Sequence, residues 1–142
     1  MALNLPAKKI LTLEAARLAA AGCEAEAVKN GWKVVIAIVD DGGHAILVQR
    51  LDGTQSSSVD TALNKAKAAV GFKRLTGNLE DMINKGRTAF LSAPGDFAFL
   101  QGGVPIEVEG QVIGAIGVSG VKAADDEIVG KAGLEALKGA LA

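Results

Sequence analysis

One histidine, one cysteine and no tyrosine occur in 142 residues, so most side chains used for nucleophilic catalysis or metal binding are scarce or missing. The lone thiol, Cys23, has no partner for an internal disulfide, and no Cys/His cluster has zinc-site spacing. Calcium-loop spacing is likewise missing. Charges are balanced at 15 Lys+Arg against 16 Asp+Glu, with no basic block, so neither nucleic acid nor an anionic membrane is an expected partner. No apolar run approaches the roughly 20 residues that cross a bilayer. The opening MALNLPAKK lacks the apolar core and cleavage site of a secretory signal, and the expected compartment is the cytoplasm.

Familiar catalytic motifs fail too. Gly117-Val118-Ser119-Gly120 misses the G-x-S-x-G spacing of a nucleophile elbow by one residue. Gly114, Gly117 and Gly120 fit neither the dinucleotide nor the phosphate-loop fingerprint. Such glycines let a backbone or a flat ligand come close to a strand.

What is present is a globular composition, 49% apolar and 22% charged. The length fits one domain, 1–142, able to bury about two-thirds of its unfolded surface. Thr12 can cap a first helix whose stripe runs through Leu13, Ala16, Ala20, Cys23 and Ala27, with Asn30-Gly31 as its stop. Cys23 on that stripe reads as a buried structural thiol. KVVIAIVD (Lys33 to Asp40) is apolar on both faces and reads as a central strand. Asp41-Gly42-Gly43 is a hairpin turn, and HAILVQRL (His44 to Leu51) returns antiparallel. The serines of DGTQSSS can cap a second helix with a stripe of Val59, Ala62, Leu63, Ala66, Ala69 and Val70. Asn78 is expected to cap a short third helix ending near Gly86. Phe97 to Leu100 is expected as a short strand. Val104 to Val108 and Gln111 to Ser119 make a second hairpin about Glu109-Gly110. A last helix, near Ala123 to Leu141, opens on Asp125, Asp126 and Glu127, placed to favour its dipole. Tight turns demand antiparallel pairing, and the expected fold class is α/β (α+β), a five-stranded antiparallel sheet faced by helices.

His44 is the only imidazole, the commonest protein ligand of haem iron; a solvent-facing turn residue is its plainer reading. Met82 offers a soft thioether as a candidate axial ligand, and core filling is its plainer reading. Arg50, Lys65, Arg74 and Arg87 are candidate partners for a carboxylate. Asp40 ends an apolar strand, where an ionised carboxylate needs a partner, and the turn amides could supply one.

Two long segments carry a family resemblance. VDDGGHAILVQRLDG (Val39 to Gly53) and GGVPIEVEGQVIGAIGVSG (Gly102 to Gly120) resemble the signature segments of GlcG/HbpS proteins, related to the C-terminal domain of PduO proteins. Lys65-Ala66 and Gly86-Arg87-Thr88 are similar to that family's middle section. The resemblance implies a profilin-like α/β/α sandwich, frequent homo-oligomers, and haem or tetrapyrrole binding in some members. Under that reading His44 is the axial ligand to haem iron, and Arg50, Lys65 or Arg87 pair with propionates. The ring lies in a slot beside Gly102, Gly103, Pro105 and the Gly114–Ser119 segment. The competing reading is an accessory enzyme on a small carboxylic acid, with Arg50 or Arg87 orienting it and Asp40, His44 or Lys65 carrying protons. A ligand-free structural or chaperone-like subunit is the third. Glycines 130, 133 and 139 in the last helix suggest close packing between subunits.

Overall fold

A computed structural model describes residues 1–141. Helix α1 (Leu13–Lys29) begins where expected, because the Thr12 hydroxyl accepts the Ala15 amide at 3.1 Å. It ends at Asn30, with Gly31 at φ +71°. Strands β1 (Val35–Asp40) and β2 (Ala45–Arg50) form the first hairpin. Helices α2 (Ser58–Phe72) and α3 (Thr76–Asn84) follow, then a 3-10 turn at Thr88–Ser92. Strands β3 (Gly103–Val108) and β4 (Gln111–Ser119) form the second hairpin, and α4 (Ala123–Ala140) closes the chain. No helix among the described residues is long and apolar enough to cross a membrane.

The sheet is antiparallel with order β2-β1-β4-β3. It has four strands, not the expected five, because Phe97 to Leu100 stays outside it. There the Ala98 amide donates to the Asn64 carbonyl of α2 at 3.2 Å, and Phe97 and Phe99 join Phe72 and Phe90 in one aromatic cluster, with centroids 4.9–5.8 Å apart. Helix docking and aromatic packing outcompete a strand.

Alternation along the strands divides the core. Ile36, Ile38, Val104, Ile106, Ile116 and Val118 face α1 and α4. Val35, Ala37, Val39 and Ala115 face α2, which packs over β1, β4 and β3 and leaves β2 largely uncovered. The result is three layers, helix on sheet on helix. α1 and α4 approach closely, because Gly133 lies against Ala19 and Cys23, and Gly22 against Ala132 and Ala136. Gly130 lies against Val104. Gly130 and Gly133 therefore pack within the chain rather than against a neighbour, and Gly139 alone of the three is open among the described residues.

Cys23 is fully buried, and burial pushes its thiol up to about 12. A chromogenic disulfide reagent should therefore leave the native protein unlabelled at pH 8 and label one thiol per chain only in denaturant.

Candidate functional site

The β1–β2 turn is built by Asp40. Its Oδ1 accepts the Gly42 amide at 2.9 Å and the His44 amide at 3.0 Å. Its own backbone pairs with His44 O at 2.9 Å and Gly43 N at 3.1 Å. Gly43 sits at φ +82°, which a side chain would strain. Asp40 thus spends its carboxylate on turn amides and presents His44, exposed, at the head of β2.

Across from His44 lie Lys67, Val70 and Gly71 from the end of α2, and the Gly95-Asp96-Phe97 loop. Together with Asp41, Gly42 and Gly43 they enclose a cavity of about 280 Å³. Its walls include Gly42, Gly43, Gly71 and Gly95, so part of the lining is bare backbone. A methyl group on Gly95 would collide with the Phe97 ring, 2.5 Å away. Phe72 and Phe99 pack against the Phe97 ring, with centroids 5.0 and 5.8 Å away. Two cationic side chains border the cavity, His44 when protonated and Lys67. Asp96 and Asp41 face them, and a hydrogen bond from the Lys8 ammonium holds the Asp41 carboxyl below its usual range. A larger cavity, about 540 Å³, lies between the start of α1, the end of α4 and the second hairpin. Its lining mixes aliphatic side chains with Lys9, Glu107, Glu109 and Lys138 and contains no imidazole, whereas His44 lines the smaller cavity.

The sequence candidates do not converge. Arg50 is exposed at the opposite end of β2 from His44, about 20 Å away at strand rise. Arg87 is exposed between α3 and the 3-10 turn and does not line the cavity. Met82 on α3 is half-buried and also lies off it.

Lys65 is a correction. It is 3% exposed and donates to Val118 O and Asp126 Oδ2, each at 2.9 Å. Asp126 is 2% exposed and also accepts the Val121 amide at 3.1 Å, so it clamps Lys65 rather than only facing a helix dipole. Burial pushes the Asp126 carboxyl up, against the opposing pull of Lys65. An ammonium committed in this way cannot meet a propionate or shuttle a proton to an external acid.

The expected slot beside Gly102, Gly103 and Pro105 is filled by the chain itself. A methyl on Gly102 would meet Val118 O at 2.6 Å and Lys65 Nζ at 2.8 Å, and one on Gly103 would meet Lys65 O at 2.5 Å. Pro105 is half-buried on β3, opposite Ala115. Gly114 and Gly117 face Val39 and Ala62 carbonyls with no room between.

Sequence reasoning missed Lys67, Gly71, Gly95, Asp96 and Phe97. For Lys67 a signal existed: Lys65 is three residues after Ala62 and four before Ala69, on the buried stripe, which leaves Lys67 off it.

Comparison with known proteins agrees with this architecture. Protein GlcG of Escherichia coli (strain K12) is 44% identical over 112 residues, covering 79% of this chain and 83% of that one. The crystal structure of Klebsiella pneumoniae protein ORFY superposes with a TM-score of 0.89 at 32% identity, covering 100% of both chains. That of a Streptomyces reticuli HbpS double mutant gives 0.84 at 32% identity, covering 95% of this chain and 94% of that one. The family described as "Haem degrading protein HbpS-like" matches residues 11–135, and the chain belongs to it.

Proposed function

We propose that the protein binds haem or a related planar tetrapyrrole at the hairpin cavity, with His44 as axial ligand and Lys67 meeting a propionate. The observation that carries this reading is the meeting of the only imidazole with an ammonium, a phenyl ring and four bare glycine backbones around one cavity. Imidazole is the commonest haem ligand. Glycine walls let a flat ring approach backbone closely, and Lys67 supplies a point charge for a carboxylate. The family description, which names haem, supports the same chemistry. At about 280 Å³ the cavity is at the small end of ligand sites, which run from about 300 to 1,000 Å³. It therefore holds one edge of a macrocycle and leaves the rest outside this chain.

Titrating the purified protein with haem tests the reading. Wild type should show a saturable Soret shift with an imidazole-ligand spectrum. His44→Ala should lose that spectrum and weaken uptake by more than about 10-fold, the lower end of what losing even an outer partner of a metal ligand costs. Lys67→Ala should weaken uptake without altering the spectrum. Unchanged affinity and spectrum in His44→Ala would remove His44 as the ligand.

A further inference from the structure

Two adjacent glycines at the β1–β2 turn differ in what requires them. The Gly43 amide donates to Asp40 O at 3.1 Å, closing a turn with Asp41 and Gly42 at its centre. Neither Asp41 nor Gly42 has a positive φ, as in a type I turn, whose central positions accept most residues. Gly43, at φ +82°, is the left-handed residue that follows such a turn in a three-residue hairpin loop. The backbone therefore demands glycine at 43 and not at 42. Glycine at 42 adds conformational freedom to the unfolded chain, so its presence needs another reason.

That reason lies in the side chain two residues on. A methyl group on Gly42 would stand 3.2 Å from Cδ2 and 3.6 Å from Nε2 of His44, and 3.4 Å from Asp40 Oδ1. Carbon atoms pack best at about 3.5–4.0 Å, so an edge of the imidazole occupies the space that a side chain at 42 would need. Asp40 fixes both parts of this seat. Its Oδ1 accepts the Gly42 amide at 2.9 Å and the His44 amide at 3.0 Å, which ties the floor and the ring's backbone anchor to one oxygen. Without the seat, an exposed histidine at the head of a strand would turn among its staggered rotamers.

We propose that Gly42 is a positioning residue: its bare backbone seats the His44 imidazole and fixes how the ring is presented to the hairpin cavity. Gly42 and His44 both line that cavity, so a side chain at 42 would push the ring off its seat and narrow the same space. Binding to an imidazole already in place costs less ordering than binding to a mobile one. The presentation of the ring to haem rests on the haem reading above; the seat itself does not.

Because His44 is the only imidazole, nuclear magnetic resonance of the full chain carrying ring-labelled histidine reads the seat directly. An imidazole C–H should show a cross-peak to the Gly42 α-protons, and its absence overturns the proposal. Gly42→Ala should melt at or above the wild-type temperature, since its φ suits alanine, yet move the imidazole signals. Gly43→Ala, strained at φ +82°, is the benchmark for a glycine that the backbone requires and should melt lower. Gly71→Ala places a methyl 3.4 Å from the Phe97 ring rather than against His44, so the imidazole signals should stay where they are. A Gly42→Ala melt as low as that of Gly43→Ala, or imidazole signals moved no more than in Gly71→Ala, overturns the proposal. With haem, Gly42→Val should alter the imidazole-ligand spectrum and weaken uptake by about 10-fold or more, as for losing an outer partner of a metal ligand. Wild-type affinity and spectrum in Gly42→Val, where wild type binds haem through His44, remove Gly42 as a positioning residue and leave the haem reading intact. A wild type that takes up no haem but shows the cross-peak overturns the haem reading and leaves the seat standing.

Discussion

Lys65→Met should destabilise the protein by about 3–5 kcal/mol at pH 7, because it strands the Asp126 carboxylate without its counter-ion in a buried site. Methionine nearly matches the volume, so the loss is electrostatic rather than a cavity. Asp126→Leu added to Lys65→Met should recover a large part of it, since no buried charge then remains. The sign of the pH dependence follows from the raised Asp126 pKa. A carboxyl whose folded pKa exceeds its unfolded value of about 3.8 favours the folded state most below that value, and the benefit is lost as pH rises through the folded pKa. Removing Lys65 takes away the strongest downward influence on Asp126 and raises its pKa further. The deficit of Lys65→Met should therefore be largest near neutrality and shrink toward pH 4. Urea unfolding of both proteins at pH 4, 5 and 7 measures this, and a deficit independent of pH would mean that Asp126 is not the group being stranded.

Gly117→Ala should be comparably damaging for a steric reason. A methyl there would overlap the Ala62 carbonyl oxygen and approach the Ala66 amide at 2.7 Å. Both belong to the backbone of α2, so no side chain can swing aside, and the helix must lift off β4. A cost of about 3 kcal/mol, at the upper end for overpacking, corresponds to a fall of roughly 10 °C in Tm for a chain of this size. Gly139→Ala is the control. Among the described residues nothing lies within 4 Å of a methyl at that position on α4, so it should gain up to about 1 kcal/mol from helix propensity. Thermal melts followed by circular dichroism separate the two, and a Gly117→Ala melt within 2 °C of wild type would show that α2 does not rest on β4 as described.

Features written in local chemistry were legible in the sequence. The Thr12 cap, the Asn30-Gly31 stop, the Asp41-Gly42-Gly43 turn and the Glu109-Gly110 turn each depend on residues adjacent in the chain, and both Glu109 and Gly110 do adopt positive φ. Features decided by distant partners were not. α3 starts at Thr76 rather than near Asn78, and the Thr76 hydroxyl serves Leu100 O and the Gly103 amide instead of capping its own helix. Phe97 to Leu100 has strand-like residues, but its Ala98 amide docks on α2 and its two rings join Phe72 and Phe90. At the candidate site His44 stood out by rarity. Lys67 and Phe97 did not, because their meeting with His44 depends on how α2 and the 95–97 loop cross the sheet. Lys65 misled because a charge reads as exposed unless its place on an alanine stripe is weighed first.

The β3 edge of the sheet offers little to an added strand. A sheet whose two margins both accept strands is a template in either direction, and rising concentration can then drive open-ended fibres. Here Pro105 has no amide and the Gly103 amide is taken by Thr76 Oγ1 at 2.7 Å, so the β3 margin is a poor template. Strand-mediated growth in both directions is therefore disfavoured, and with it open-ended fibres as concentration rises.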